Sequence, residues 1–336
     1  MAGKILCFGE MLLRLTAPGR ELLLQSGRLD VHVGGAEANV AVALARLGHA
    51  TAMASRVPDN ALGEAATGAL RRHGVDTSGV KTGEGRMGLY FLSPGAGSRA
   101  SDIVYDREGS AFARARPSDF DWDALLGGVA LLHLSGITPA LGPDSAALAA
   151  AAAAAARAKG IPVSVDANFR ARLWARWTGD PATILADLVA EADILFGNHR
   201  DLSLLLAREF SGEGPERRRE AAQAAFSAFS QLRLIASTAR HVTDADTHRI
   251  SARIDDREGA AQTEEVVVAG IVDRIGAGDA FAAGVLHGRL SGLDREGIVR
   301  AGLALTCLKH SLPGDASLFT SRDIEAFLAG ERDVRR

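Results

Sequence analysis

Asp273-Arg274-Ile275-Gly276-Ala277-Gly278-Asp279, running on into Ala280-Phe281-Ala282-Ala283-Gly284, is the stretch that decides how this chain is read. An apolar, strand-like segment at 266–271 enters a glycine turn, and the turn opens a helix of small residues. Backbone N–H groups at such a turn point outward from a helix N-terminus and make an anion site. Asp279 stands among them, although a carboxylate beside an anion site is electrostatically unfavourable unless it has work there. One suitable task is taking a proton from a hydroxyl that attacks a phosphoryl group, while the amides stabilise the charge developing beside it.

Working outward, apolar strand signals alternate with helical ones. Strands are expected at 4–9, 51–54, 129–135, 161–166, 193–196, 232–237 and 266–271. Helices are expected at 36–48, 61–74, 143–159, 181–191, 217–230, 278–291 and 294–310. Alternation of this kind predicts an α/β fold, a mostly parallel sheet with helices on both faces. Segments 10–33 and 86–113 break the pattern with short alternating runs and glycine turns such as Pro94-Gly95-Ala96-Gly97. They read as a small separate β-sheet inserted as a lid over the C-terminal strand ends, where α/β sites lie. The large catalytic domain then comprises 1–9, 34–85 and 114–330, and 331–336 is a charged tail.

With 336 residues, 47% of them hydrophobic, the chain can bury one large α/β core with an appendage. Its net charge of -3 argues against general nucleic-acid or membrane-surface binding. Cys7 and Cys307, each in an apolar context, read as reduced buried thiols of a cytoplasmic protein. The N-terminus goes straight into a strand, with no signal peptide expected. The alanine-rich run 146–156 is too short to span a bilayer. Lysine occurs only at 4, 81, 159 and 309, none of them in a G-x-x-x-x-G-K-[ST] loop, so a P-loop fold is excluded. A dinucleotide-binding Rossmann reading of the G-x-G at 276–278 fails on the missing third glycine and on Asp279 at the pyrophosphate position.

A second glycine-led helix start lies at 34–48, GGAEANVAVALARLG. Paired Gly34 and Gly35 let the backbone approach a ligand closely, and Asn39, one turn in, offers both a donor and an acceptor to a polyol. The two segments together resemble the N- and C-terminal signatures of the ribokinase (PfkB-type) carbohydrate kinase family, the second usually written D-T-x-G-A-G-D. The likeness covers nearly the whole chain. It implies a ribokinase-like fold, ATP and Mg²⁺ as co-substrate and metal, Asp279 as the base, and Gly276, Ala277 and Gly278 as the anion hole. Arg274 stands where the family has Thr. The family's N-x-x-E motif appears as Asn198-His199-Arg200-Asp201. That implies Asn198 at the nucleotide and Asp201 near the metal through water, though an Asn cap and a solvent-facing Asp would also explain the spacing. Where the family has a G-x-x-G loop, this chain has Ser237-Thr238-Ala239-Arg240, so Ser237, Thr238 and Arg240 are the candidate phosphate contacts.

Four further segments, Tyr105-Asp106-Arg107, His133 to Pro139, Asp166 to Trp174 and Lys309 to Asp315, are similar to the 2-keto-3-deoxygluconate kinase branch of the family. The likeness implies Tyr90, Tyr105, Arg107, Arg170 and Asp315 around the substrate, with Gly34, Gly35 and Asn39. The chemistry agrees: arginine reads a carboxylate in a bidentate fork, so Arg107 and Arg170 converging on one carboxylate would select a sugar acid. Structural readings stand beside these, an Arg170–Asp166 ion pair and Asp315 capping its turn among them. Arginines do not report one hydroxyl's stereochemistry. The galacto epimer, a neutral ketose such as fructose, and a non-catalytic sugar or nucleotide sensor therefore remain alternatives. The likeness also implies a homo-oligomer formed through the lid.

Overall fold

The computed structural model describes residues 3–331, so the expected tail lies, beyond Glu331, outside the described residues. The strands in chain order are β1 Lys4–Phe8, β2 Leu12–Thr16, β3 Asp30–Gly34, β4 Thr51–Pro58, β5 Asp76–Gly83, β6 Gly88–Ser93 and β7 Asp102–Asp106. They continue as β8 Val129–Ser135, β9 Val163–Asp166, β10 Ile194–Phe196, β11 Leu234–Asp244, β12 Thr247–Asp256, β13 Ala260–Gln262 and β14 Val266–Ala269. Ten of them form one sheet in the order β13-β12-β11-β10-β9-β8-β1-β4-β5, with β14 also on β12. From β11 through β5 every pairing is parallel, as the β/α alternation predicts.

Alternation along each strand sends successive side chains to opposite faces. Ile5 and Cys7 join one apolar layer with Val285 and Leu305, while Leu6 and Phe8 join the other with Leu148 and Val163. The helix Pro143–Ala158 buries Ala149, Ala152, Ala153 and Ala156, small side chains that let it lie close on the sheet. Among the described residues no helix is long and apolar enough to cross a membrane.

Of the antiparallel edge, β14 falls within the strand expected at 266–271, but β12 and β13 were not legible. The strand expected at 232–237 runs on to Asp244 and folds back as β12, whose sequence carries Arg249, Arg253 and Asp255. Arg253 and Asp255 are buried all the same, because Nε and Nη2 of Arg253 donate to the two Asp255 oxygens at 2.7 and 2.9 Å. The polar strand β5 was missed for a similar reason of composition. The short helices Ala171–Trp174 and His199–Leu205 and the C-terminal helix Ser321–Leu328 also went unmarked.

The second sheet, β3-β2-β6-β7, stands apart from the first. Its register sets His32, Arg14, Tyr90 and Tyr105 directly opposite one another, one row on one face. The next row, on the other face, is Val31, Leu15, Phe91 and Val104. The first row carries the polar side chains, and Arg14 and Tyr90 are buried; Val31 and Val104 are exposed.

Candidate active site

The C-terminal ends of the parallel strands mark the cleft, as ligand sites in open α/β sheets require. Asp166 ends β9, Asn198 follows β10, and Ser237 and Thr238 lie in β11. Into the same region points the N-terminus of the helix Ala277–Leu290.

That helix begins at Gly276, whose φ of 77° is left-handed. A Cβ there would also lie 1.7 Å from the Asp315 carbonyl oxygen, so no other residue fits without moving the backbone. The Ala277 amide donates to the Arg274 carbonyl at 3.3 Å, and Ala280 to Gly276 at 2.9 Å. Among the described residues the amides of Gly276, Gly278 and Asp279 have no such acceptor, which leaves them facing the cleft end of the helix. Thr306 fixes the first turn by donating its hydroxyl to the Ala277 carbonyl at 2.6 Å.

Asn39 Nδ2 donates to Asp279 Oδ2 at 2.6 Å, joining the two glycine-led helices 240 residues apart in sequence. The Asp279 carboxyl is pushed up to about 7, first by loss of solvent and then by the carboxylates of Asp315 and Glu37. The Asn39 hydrogen bond and the Arg170 charge work against that rise. Asp166 is pushed up to about 8, again by burial first, then by Asp279, with Arg170 opposing. A carboxyl poised near neutrality in a cleft is suited to proton transfer.

Asp315 is buried and held from several sides. Tyr90 donates its hydroxyl to Oδ2 at 2.6 Å, and a Cβ on Gly34 would come 2.2 Å from that same oxygen. Gly34 is therefore required for close approach, and its neighbour Gly35 opens the helix Ala36–Arg46 that carries Asn39. Tyr105 lies beside Tyr90, ring centroids 6.0 Å apart. Sequence reading missed the cation here. Arg14, 1% exposed, donates from Nη2 to Asp273 Oδ2 at 2.6 Å and holds Nη1 3.1 Å from Asp315 Oδ1. Removing one member of a buried ion pair costs about 3–5 kcal/mol. The available signal was a lone arginine inside the apolar strand Leu12–Thr16.

The two arginines expected to converge are placed differently. Arg107 is buried, with Nε donating to Glu10 Oε2 at 2.7 Å and Nη2 bonded to the same oxygen. Arg170 is exposed, donates to the Phe169 carbonyl at 3.2 Å, and makes no ion pair, with Asp166 or otherwise, among the described residues. Its charge nevertheless acts on Asp166, Asp201 and Asp279.

Against the N-terminus of the helix Ala277–Leu290 lies a cavity of about 750 Å³ whose lining includes Asn198, Ser237, Thr238, Arg240, Gly278 and His310. Loss of solvent and the neighbouring Arg274 hold the Arg240 guanidinium below its ordinary value. Asn198 and Asp201 form a reciprocal cap on the helix His199–Leu205: Asn198 Oδ1 accepts from Arg200 N, and Asp201 Oδ2 accepts from Asn198 N, both at 2.8 Å. Asp201 Oδ1 is not used in that cap. Among the described residues no three His, Cys, Asp or Glu side chains converge to hold a metal. This donor set fits a magnesium ion that takes its remaining oxygens from phosphates and water, and does not fit an all-protein metal cage.

A family model described as pfkB family carbohydrate kinase matches residues 2–320. The 2-dehydro-3-deoxygalactonokinase of Haloferax volcanii is 29% identical over 98% of both chains. The 2-dehydro-3-deoxygluconokinase of Bacillus subtilis is 28% identical over 98% of this chain and 96% of its own. The crystal structure of 2-dehydro-3-deoxygluconokinase from Thermotoga maritima superposes with a TM-score of 0.93 at 35% identity, covering 98% of this chain and all of the other.

Proposed function

The chain belongs to the pfkB family of carbohydrate kinases, and from that premise we propose that it transfers the terminal phosphoryl group of ATP to the 6-hydroxyl of 2-dehydro-3-deoxy-D-gluconate. The observation that carries the reading is the Asn39–Asp279 hydrogen bond at the N-terminus of the helix Ala277–Leu290, beside amides without internal partners. Asp279 accepts the proton of the attacking hydroxyl. The free amides of Gly276, Gly278 and Asp279 stabilise charge on the phosphoryl oxygens, and Ala277 shapes the turn. Asn39 and Asp315 bind sugar hydroxyls, and Tyr90 and Tyr105 pack on the sugar's apolar face. Arg107 and Arg170 supply positive charge toward the substrate carboxylate, Arg107 pre-oriented by Glu10.

Ser237, Thr238, Arg240 and Asn198 line the space that fits the nucleotide. Asp201 is the carboxylate nearest in role to a metal ligand, acting through water. Bound there, Mg²⁺ would supply charge neutralisation on the phosphate oxygens.

The small sheet acts as a lid over the sugar, and its exposed outer row, including Val31 and Val104, suits pairing with a second subunit. Sedimentation as a monomer at micromolar concentration would count against that pairing.

Relatives named for the gluco and the galacto substrates are about equally similar to this chain. Both epimers therefore belong in the assay, with the gluco acid expected to be the better substrate. The test is ADP release on mixing with ATP, Mg²⁺ and each acid, followed by phosphorus NMR of the product. A phosphate monoester on the terminal carbon is expected. ADP release with fructose and none with either acid would sink the substrate assignment.

A further inference from the structure

Arg14 lies on the small sheet, yet its guanidinium ends at the catalytic turn of the large sheet, 259 residues away in sequence. Its acceptor Asp273 is the hinge of that turn: Oδ1 accepts from Ile275 N at 2.9 Å and Oδ2 from Gly314 N at 3.0 Å. Asp315, the other carboxylate against Arg14, lies with its carbonyl against Gly276 and its side chain against Gly34. Lys309, 0% exposed, closes the cluster from below, donating to the carbonyls of Leu312 at 3.1 Å and Asp273 at 3.4 Å. Arg14 therefore touches both segments that shape the Gly276 backbone. The fork is half made. Nη2 is hydrogen-bonded, while Nη1 and Asp315 Oδ1, both buried, stand at ion-pair distance without hydrogen-bond alignment.

We propose that Arg14 is a positioning residue for phosphoryl transfer: carried on the small sheet, it holds the Asp273 and Asp315 carboxylates, so the Gly276 turn is correctly aimed only while that sheet is seated. The inference rests on the proposed role of that turn and assigns it a control from outside the large sheet. Arg14 touches no reacting atom. Its loss falls on turnover because a displaced turn no longer meets the transition state, whereas the sugar keeps Asn39 and Tyr105.

The groups around Arg14 are Asp273, Asp315, Tyr90, His32 and Lys309, and two of them are carboxylates that its removal leaves short of positive charge. Neutralising one should therefore restore part of what the arginine supplied. The experiment compares wild type with Arg14→Met, Arg14→Lys and the double variant Arg14→Met/Asp273→Asn by steady-state kinetics. It adds hydrogen exchange of the peptide covering 273–279.

Arg14→Met should lower kcat about 100-fold while the sugar KM moves about threefold or less. The double variant should recover about tenfold of that loss. Wild-type kcat in Arg14→Met, a loss confined to KM, or a double variant no better than the single would each overturn the proposal. Should Arg14→Met fail to fold, Arg14→Lys keeps the charge and loses the fork, and a kcat equal to wild type there overturns it too.

Exchange at 273–279 should be faster in the variants, and unchanged protection contradicts the claim even without turnover. A wild type that ignores keto-deoxy acids but phosphorylates another sugar defeats only the substrate assignment, and the Arg14 comparison is then read on that sugar.

Discussion

On the side of the cleft covered by the small sheet, the buried charged and polar groups have partners, Arg14 with Asp273 and Asp315, Arg107 with Glu10, Tyr90 with Asp315 and Asn39 with Asp279, while the exposed Arg170 has no ion pair among the described residues. On the side lined by β11 and β12, Arg253 is paired with Asp255, but Arg240 and Arg274 make no side-chain ion pair among the described residues, and burial and the neighbouring Arg274 charge hold the Arg240 guanidinium below its ordinary value. On the proposed reading, a sugar offers hydroxyls that must be met at fixed angles, which suits a half of the cleft whose buried side chains are already held by partners. A polyphosphate brings its own charge, so its half can leave cations unpaired until binding neutralises them. The difference also predicts where changes hurt most: turnover on the paired side, nucleotide affinity on the unpaired side.

The strongest way to break that contrast is Asp279→Asn. On the paired side it should cost about 1,000-fold in kcat, within the range a general base contributes, while calorimetric sugar affinity stays within about fivefold. Turnover within about tenfold of wild type would remove Asp279 from the role of base. Next comes Gly276→Ala, which forces a side chain into a left-handed position against the Asp315 carbonyl. We expect kcat/KM to fall about 100-fold, and the thermal midpoint to fall with it. An active, stable Ala variant would mean that the turn can shift without loss.

The pH profile sharpens the comparison further. A base works as its carboxylate, and Asp279 is pushed up to about 7. Thus kcat/KM should fall about tenfold per pH unit below that value and level off above it. The stability sign is opposite. Because the folded pKa lies above the ordinary 3.8, this group's contribution is fully present below 3.8 and is lost as pH rises toward about 7. A kcat/KM flat from acid to neutral pH would contradict the assignment. The smallest effect belongs to the unpaired side: Arg240→Ala should raise the ATP KM about tenfold through one lost charged contact and leave the sugar KM alone. An equal rise in both would show the two halves to be coupled where the structure keeps them apart.

Much of the large sheet was legible because its strands are apolar runs between helices, and the two glycine-led helix starts were legible because backbone chemistry demands glycine there. Strands β12 and β13 were not. β12 buries Arg253 against Asp255, and a charged strand has no period that separates it from a loop until its ion pair is seen. The site divides in the same way. Asn39, Asp279 and Asp315 could be named from local motifs. Arg14 and Lys309 could not, since their partners come from segments joined only by tertiary packing. Arg107 was named as a substrate contact, but its Glu10 partner, 97 residues away, was invisible in the sequence.

The central claim is that the paired half is built for a sugar acid. Its most direct test is the ratio of kcat/KM for 2-dehydro-3-deoxy-D-gluconate to that for fructose, with saturating ATP. A site that spends buried polar groups on a carboxylate should favour the acid by at least about 100-fold. A ratio of about one or less would contradict the account, because the arginines and the Asp315 cluster would then be scaffolding for a neutral sugar.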